Sequence, residues 1–228
     1  MERTIGSMGS EYTRLHLDPE AIPIVAKLDW NPIARRVFID PVSGLIALTT
    51  PSPEHERYSR GADRFMDAMD RSLGVRAIGL GSTRWRLPGD PENTGAEPDA
   101  CYYLGPTADR WTDAHRRGAE AIREFESRTP PDLVIEVERS HGDEDKPDFY
   151  RRLGVPEMWR LNIAGNTREA VLLDLQTESG PNELTMSVVL PPASPAFVLA
   201  ALELAARGRI SELDTLIGKQ ISVTEDRR

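Results

Sequence analysis

The sequence has little cysteine, little lysine and no long apolar run, and each shortage narrows the classes of protein that it can encode. Cys101 is the only cysteine among 228 residues, which excludes an internal disulfide framework and a cysteine-based zinc site. The longest apolar stretch, 196–206, is interrupted by Glu203, and the N-terminus lacks the apolar core of a secretory signal. We therefore expect a cytoplasmic protein that does not associate with membranes.

The charge balance is acidic, with a formal net charge of −9. Proteins that bind polyanions without regard to sequence usually carry a basic face, so this balance argues against strong nonspecific binding of nucleic acid. Only three of the 28 basic residues are lysines, namely Lys27, Lys146 and Lys219. A lysine that falls inside a motif is therefore less readily explained as incidental.

The hydrophobic pattern predicts an N-terminal hairpin, with strands at 36–40 and 44–49, followed by a helix that begins at Pro53. The remaining predicted elements are strands at 75–79, 83–87, 99–104, 133–138, 157–162, 169–175 and 184–190, and helices at 111–125, 147–153, 196–206 and 210–219. This order is typical of an α/β or α+β fold with a mixed central sheet flanked by helices. The length favours a single domain over 1–228, with C-terminal helices at 195–220 and a flexible tail at 221–228.

Three carboxylates fall on two predicted strands that a helix connects. Asp99 opens the first strand, and Glu136 and Glu138 lie two residues apart on the second. Because strand residues two apart point to the same face, we expect the three side chains to converge. Such a cluster requires a cation, and oxygen ligands favour Mg²⁺, Mn²⁺ or Ca²⁺ over zinc. The alternative is that Glu136 and Glu138 line a solvated face and pair with arginines.

The sequence around these acids carries a series of landmarks. They are the run PDLVIEV at 131–137, Lys146 with Tyr150, the run GVPE at 154–157 and Trp159, preceded by the run SPEH at 52–55 and by Pro98-Asp99. In this order, over about residues 30–190, they resemble the Uma2 family, also called DUF820. The resemblance implies a core of the PD-(D/E)XK restriction-endonuclease type, which is a mixed sheet flanked by helices.

The same resemblance implies an endonuclease that hydrolyses phosphodiester bonds in DNA with a metal-activated water, using Mg²⁺ or alternatively Mn²⁺, and that acts as a homodimer. Asp99 matches the motif aspartate and Glu136 the acid of the (D/E)XK element, both as metal ligands. Glu138 stands where the superfamily carries lysine, and is given an assisting role. Lys146 stands where Uma2-like sequences commonly carry a lysine, and would support the attacking water or stabilise negative charge at the phosphate. Its alternative is a solvated cation among acidic neighbours.

Accessory residues are predicted on the helix that begins at Pro53. Glu54 or Glu56 matches the family's helical acid, and His55 could orient a water, although acids in a first helical turn also stabilise the helix dipole and a histidine there is often a surface residue. Three arginines at helical spacing on this helix could contact backbone phosphates or line a solvated face, namely Arg57, Arg60 and Arg64.

Two other functions stay open at this point. The glutamate at position 138 is also compatible with a catalytically inactive PD-(D/E)XK-like module that binds or regulates. A nuclease directed at RNA is the third interpretation, because the landmarks do not distinguish the two nucleic acids.

Overall fold

A computed structural model describes the chain in six segments, residues 2–5, 11–30, 33–81, 83–139, 145–165 and 168–225. The chain divides into two compact units, residues 1–56 with 82–98, and residues 57–81 with 99–228. The division falls inside one helix, α2 (Pro53–Leu73). Each unit has a sheet and an apolar core of its own. The single-domain organisation that the length favours stays a prediction.

The first unit contains a four-stranded antiparallel sheet in the order β1-β2-β4-β3. Its strands are β1 (Glu2–Ile5), β2 (Glu11–His16), β3 (Arg36–Asp40) and β4 (Leu45–Thr50). The predicted hairpin is confirmed as β3 and β4, and Asp40 closes its turn by accepting from the Val42 amide and the Ser43 hydroxyl. Gly44 has a φ of 71°, and a Cβ there would lie 2.0 Å from the Leu17 carbonyl oxygen, so the turn requires glycine.

The second unit contains a six-stranded sheet in the order β10-β9-β8-β7-β6-β5. Its strands are β5 (Ala77–Gly79), β6 (Ala100–Leu104), β7 (Leu133–Glu138), β8 (Glu157–Asn162), β9 (Glu169–Asp174) and β10 (Asn182–Leu184). Among these described strands only β7 and β8 pair in parallel, and a crossover that includes helix α5 (Lys146–Leu153) connects them. The predicted mixed sheet flanked by helices is thereby confirmed.

Helices cover both faces of this sheet. The remaining described helices of the unit are α3 (Gly105–Arg117), α4 (Ala119–Glu126), α6 (Pro195–Ala206) and α7 (Ile210–Glu225). Ile135 and Val137 of β7 face a core shared with α2, α6 and α7, where the Phe65 ring lies 6.0 Å from that of Trp159 and 5.9 Å from that of Phe197. Within the described ranges, no helix is long and apolar enough to cross a membrane.

Several predicted elements differ from the structure. In the range 83–87 the structure has only an isolated bridge between Trp85 and Ala96, and the strand predicted at 184–190 is instead the end of β10 followed by a loop. The helix predicted at 111–125 begins earlier and is interrupted at Gly118, where φ is 106°. Helix α7 continues to Glu225, into the segment for which a flexible tail is expected. Alternating apolar residues suit a strand, but a strand forms only where a partner edge is available.

Glu157 holds the loop that follows β10. Its carboxylate is buried and accepts from the Trp159 indole at 2.5 Å and from the amides of Val188 and Val189 at 2.8 and 3.1 Å. A carboxylate acceptor contributes more to stability than a neutral acceptor does. If it were removed, its three donors would lose a hydrogen-bond partner. Glu157 therefore stabilises the loop instead of taking part in a surface ion pair.

We predict that Glu157→Ala lowers the free energy of unfolding by about 3 kcal/mol, because three donors lose a charged acceptor. Urea denaturation of the purified protein measures this change. Glu183→Ala is the matched control, since Glu183 is an exposed acid on β10, and it should change stability by less than about 0.5 kcal/mol. Equal effects of the two substitutions would contradict the role given to Glu157.

Asp132 fixes the junction between β6 and α3. Its carboxylate accepts from the Leu104 amide at 2.7 Å and from the Thr107 hydroxyl at 3.1 Å. Burial raises the pKa of Asp132 above its ordinary value of 3.8, although these two hydrogen bonds and the charge of Arg110 act in the opposite direction. The folded protein therefore holds a proton on Asp132 at a pH where the unfolded chain has released it.

We predict a pH-dependent stability difference between the wild type and Asp132→Asn, which does not titrate at this position. The contribution of Asp132 to stability is complete below its unfolded pKa and is lost as the pH rises through its raised folded pKa. The free energy of unfolding of the wild type minus that of Asp132→Asn should thus decrease as the pH rises from 3 toward neutrality, measured by denaturant titration. A difference that increases with pH would show that the pKa is lowered on folding.

Candidate active site

Asp99 and Glu136 lie beside each other on one face of the six-stranded sheet. The antiparallel register places Ala100 opposite Ile135, and one further step along it brings Asp99 alongside Glu136. Residues directly opposite in an antiparallel pair project to the same face. Both side chains are buried, with 8% of Asp99 and 2% of Glu136 exposed. The sheet therefore brings together two acids that are 37 positions apart in the sequence.

Asp99 is held at both its side chain and its backbone. Its Oδ2 accepts from the Val137 amide at 2.6 Å, and its carbonyl oxygen accepts from the Ser59 hydroxyl of α2 at 2.7 Å. The side chain thus extends the pairing of β6 with β7 beyond the last paired backbone residues. These contacts fix the position of the carboxylate relative to β7.

Glu136 receives two donors from α5. The Lys146 ammonium lies 2.9 Å from its Oε2, and the Tyr150 hydroxyl donates to its Oε1 at 2.6 Å. Lys146 and Tyr150 are four residues apart, so one helical turn aligns both toward the sheet. The Lys146 side chain is only 16% exposed. Lys146 is therefore not the solvated cation that the acidic neighbouring sequence suggested as an alternative.

Glu138 follows on the same face of β7 but has a different partner. Its two oxygens accept from Nε and Nη2 of Arg160 on β8, at 3.1 and 3.0 Å. Across the described part of the chain, no three acidic, histidine or cysteine side chains form a group that could hold a metal ion. The expected convergence of three carboxylates is thus not found, because Glu138 forms a two-pronged ion pair with the neighbouring strand.

The two remaining acids match the needs of a hard divalent cation. Mg²⁺ commonly binds through one or two carboxylates and leaves its other positions to water and substrate phosphate, and Asp99 and Glu136 supply that number. Asp99 and Glu136 as the metal ligands stay a prediction that the donor chemistry fits.

Comparison with protein families decides the relationship of the chain to known proteins. Residues 37–202 match the model of the Uma2 family, which is described as a putative restriction endonuclease. The chain belongs to the Uma2 family. The description of Uma2 indicates a nuclease, a hydrolase whose substrate is nucleic acid, and families of the restriction-endonuclease type generally use divalent metal ions. Searches of curated proteins and of solved structures give no match.

The acids and the histidine predicted as Uma2 accessory residues lie in the first unit, at the start of α2. The His55 amide donates to the Ser52 hydroxyl at 3.2 Å, which caps the helix. Glu56 lies 3.4 Å from the Arg36 guanidinium and 3.7 Å from Nδ1 of His55. Glu54 is in the same turn, where a negative charge favours the helix dipole. Their catalytic roles stay predictions, and Glu56 has a structural partner in β3.

The arginines predicted to contact phosphate lie in the part of α2 that belongs to the second unit. Arg57 Nε donates to the Ala206 carbonyl at 3.3 Å, and Arg64 Nη1 donates to the Ala205 carbonyl at 3.0 Å. Cations at the last carbonyls of a helix satisfy its unpaired acceptors and favour its dipole, so both side chains stabilise the end of α6. Arg60 is exposed. Contact of these residues with nucleic acid stays a prediction.

Two residues of the Uma2 site received no role from sequence reasoning. Tyr150 had a usable signal, because its spacing of four residues from Lys146 places both on one side of a helix. Arg160 had none, since its approach to Glu138 depends on the parallel register that sets Arg160 beside Glu136 on the adjoining strand. Pairing register between distant strands is not readable from one sequence.

We predict that Tyr150→Phe lowers the free energy of unfolding by about 2 kcal/mol, since a buried hydrogen bond to a carboxylate is lost. Tyr103→Phe is the matched control, because the Tyr103 hydroxyl donates to the neutral carbonyl of Thr129 at 2.7 Å and its loss should cost about 1 kcal/mol. Urea denaturation of both variants tests the comparison. A smaller cost for Tyr150→Phe than for Tyr103→Phe would contradict the importance given to Glu136 as acceptor.

Proposed function

We propose that this Uma2 protein is a metal-dependent endonuclease that hydrolyses phosphodiester bonds in DNA. The observation that supports it is the buried pair Asp99 and Glu136 on one sheet face, with a lysine bonded to the second of them. Acids and a cation in this arrangement have the chemistry that phosphodiester hydrolysis needs, which is a site for a divalent ion and a positive charge near the reacting phosphate.

In this proposal Asp99 and Glu136 hold Mg²⁺, or Mn²⁺ in its place. The ion, when bound, supplies an activated water and offsets charge at the leaving oxygen. Asp99 is pre-positioned by the Val137 amide and the Ser59 hydroxyl, so little rearrangement is needed to present it. Lys146 orients the attacking water or stabilises negative charge on the phosphate. Glu138 assists indirectly, because it fixes the Arg160 guanidinium on the same face.

The acidic composition favours a selective enzyme. A net charge of −9 weakens the attraction to phosphate that nonspecific binding depends on, and so supports a nuclease that recognises a particular site or works with a partner. We include in the proposal a homodimer that acts in the cytoplasm. The molar mass of the protein, measured by light scattering as it elutes from a gel-filtration column, would test the dimer.

A binding or regulatory module without catalysis is the second candidate. It is favoured by position 138, where a glutamate engaged with Arg160 replaces the lysine that the superfamily carries. In the same structure Lys146 is bonded to Glu136. An inactive protein would retain this network as an internal ion-pair system, and would not need a metal ion.

We predict that Asp99→Asn and Glu136→Gln each lower the rate of DNA cleavage by about two orders of magnitude or more, because each removes charge stabilisation worth several kcal/mol. Supercoiled plasmid is incubated with the protein and Mg²⁺ or Mn²⁺, and an RNA transcript of the same sequence is assayed in parallel. EDTA should abolish cleavage. Preferential cleavage of the transcript would replace DNA with RNA as the substrate.

Asp99→Asn tests the charge of this side chain alone, because the amide oxygen of asparagine can still accept the hydrogen bond from the Val137 amide while the negative charge is lost. Glu183→Gln removes a charge from an exposed site on β10 and should leave the rate unchanged. Thermal unfolding of each variant confirms that it is folded. If the wild type cleaves neither nucleic acid and calorimetry detects no binding of Mg²⁺ or Mn²⁺, the nuclease proposal is wrong and the binding module is favoured.

A further inference from the structure

The Glu136–Lys146 ion pair is unusual among the described ion pairs for its burial. Glu136 is almost completely buried and Lys146 is largely so, whereas the side chains of many other ion pairs, such as Arg71 with Asp214, are half exposed. Exposed pairs contribute little, but a buried carboxylate is costly unless a cation or several donors compensate it. Lys146 supplies that positive charge to Glu136.

The other donors near Glu136 do not compensate its negative charge. Tyr150 contributes a hydrogen bond from a neutral hydroxyl, which leaves the negative charge of the carboxylate in place. Arg160 donates from Nε and Nη2 to the carboxylate of Glu138. Charge compensation at Glu136 therefore depends on Lys146, and a second cation at this carboxylate would be placed beside an ammonium group.

We propose that Lys146 is the internal counter-cation of Glu136 in the metal-free protein, and that it thereby opposes the binding of a divalent ion at this site. The inference rests on the proposed function, in which Asp99 and Glu136 are the metal ligands. Two cations a few ångströms apart in a buried site repel each other strongly. Lys146 loses its ion pair with Glu136 when a divalent ion occupies the site, and its ammonium group then bonds to a phosphate in place of Glu136.

This exchange couples metal loading to substrate. Without nucleic acid, the repulsion by Lys146 keeps the affinity for the ion low. A backbone phosphate at the site has oxygens that can accept hydrogen bonds from the Lys146 ammonium. The carboxylates then compensate the charge of the ion, and the phosphate compensates that of the lysine. The protein therefore binds the metal ion preferentially when nucleic acid is present, so that the ion and the substrate occupy the site together.

The first test measures Mn²⁺ affinity by calorimetry with the full chain and without nucleic acid. Lys146→Met should bind Mn²⁺ at least tenfold more tightly than the wild type, and Lys146→Arg, which keeps the charge, should not. The control is Arg168→Met, which removes the cation from the partly exposed pair of Arg168 with Glu203 and should leave Mn²⁺ affinity unchanged. If Arg168→Met gained as much Mn²⁺ affinity as Lys146→Met, the effect would be due to the change in net charge, and the inference would be overturned.

Stability provides a readout that a purely structural lysine would not give. Lys146→Met should have a lower melting temperature than the wild type without metal, and Mn²⁺ should raise the melting temperature of the variant more than that of the wild type. If Lys146 only supports the fold, the variant loses stability and Mn²⁺ does not restore it. Lys146→Gln replaces Lys146→Met in both tests if the methionine variant does not fold.

The second test needs no substitution, because the chain has only three lysines. Acetylation of the wild type with an amine-reactive reagent, followed by mass spectrometry, gives a separate rate for each of them. Lys146 should react slowly without metal and several-fold faster in saturating Mn²⁺, while the exposed Lys27 and Lys219 should not change. An unchanged Lys146 rate at saturation would overturn the inference.

The two proposals fail in different ways. If neither the wild type nor Lys146→Met binds Mn²⁺, the metal site itself is wrong, and the inference falls with it. If the wild type binds Mn²⁺ and Asp99→Asn abolishes that binding, but Lys146→Met binds no more tightly, only the inference is wrong. Neither measurement depends on DNA cleavage, so an inactive protein can still be tested.

Discussion

A buried carboxylate and its two donors connect the sheet of the second unit to the helix that crosses over it. Glu136 on β7 accepts from Lys146 and Tyr150 of α5, and α5 lies between the two parallel strands in the chain. An unpaired charge in this position would be strongly unfavourable. The placement of α5 and of Lys146 therefore depends on the acid, and the acid depends on them. The candidate active site is built on that mutual requirement.

The strand that carries Glu136 is chemically two-sided. Leu133, Ile135 and Val137 face the apolar core shared with α2, α6 and α7, while Glu136 and Glu138 on the other face bind cations from α5 and β8. The apolar face anchors the strand and so holds the acids at a fixed place. A site on a central strand is more rigid than one on a loop, which suits chemistry that requires carboxylates at defined positions.

In the proposed function, the groups that would act in catalysis are the same groups that stabilise the fold. The proposed function gives Lys146 a role at a phosphate, yet in the structure it compensates Glu136. Arg57 and Arg64 satisfy carbonyls at the end of α6, although their spacing suggests a surface for nucleic acid. In each case the side chain has a partner within the unit before any ligand is considered. The type and spacing of a residue therefore identify it as a candidate for binding substrate. Its partners in the structure show which contacts the substrate would have to replace.

Sequence reasoning was accurate where one segment contains its own signal. The alternation in 133–138 and the helical periodicity after Pro53 mark β7 and α2, because side-chain period is a local property of a strand or a helix. It was inaccurate at 83–87 and 184–190, where alternating residues find no partner strand of that length. The strands β1 and β2 were missed, since their pairing with β4 is decided elsewhere in the chain.

By itself the sequence determined the Uma2 relationship, the mixed sheet, and the identity of Asp99, Glu136 and Lys146 as the residues of interest, because these follow from local pattern and from the order of landmarks. Only the tertiary structure decided which acid receives which cation. Glu136 and Glu138 are equivalent in period and in chemistry, but α5 approaches one and Arg160 of β8 the other. Those contacts arise from strand register and helix placement, and both are long-range properties of the fold that no local pattern encodes.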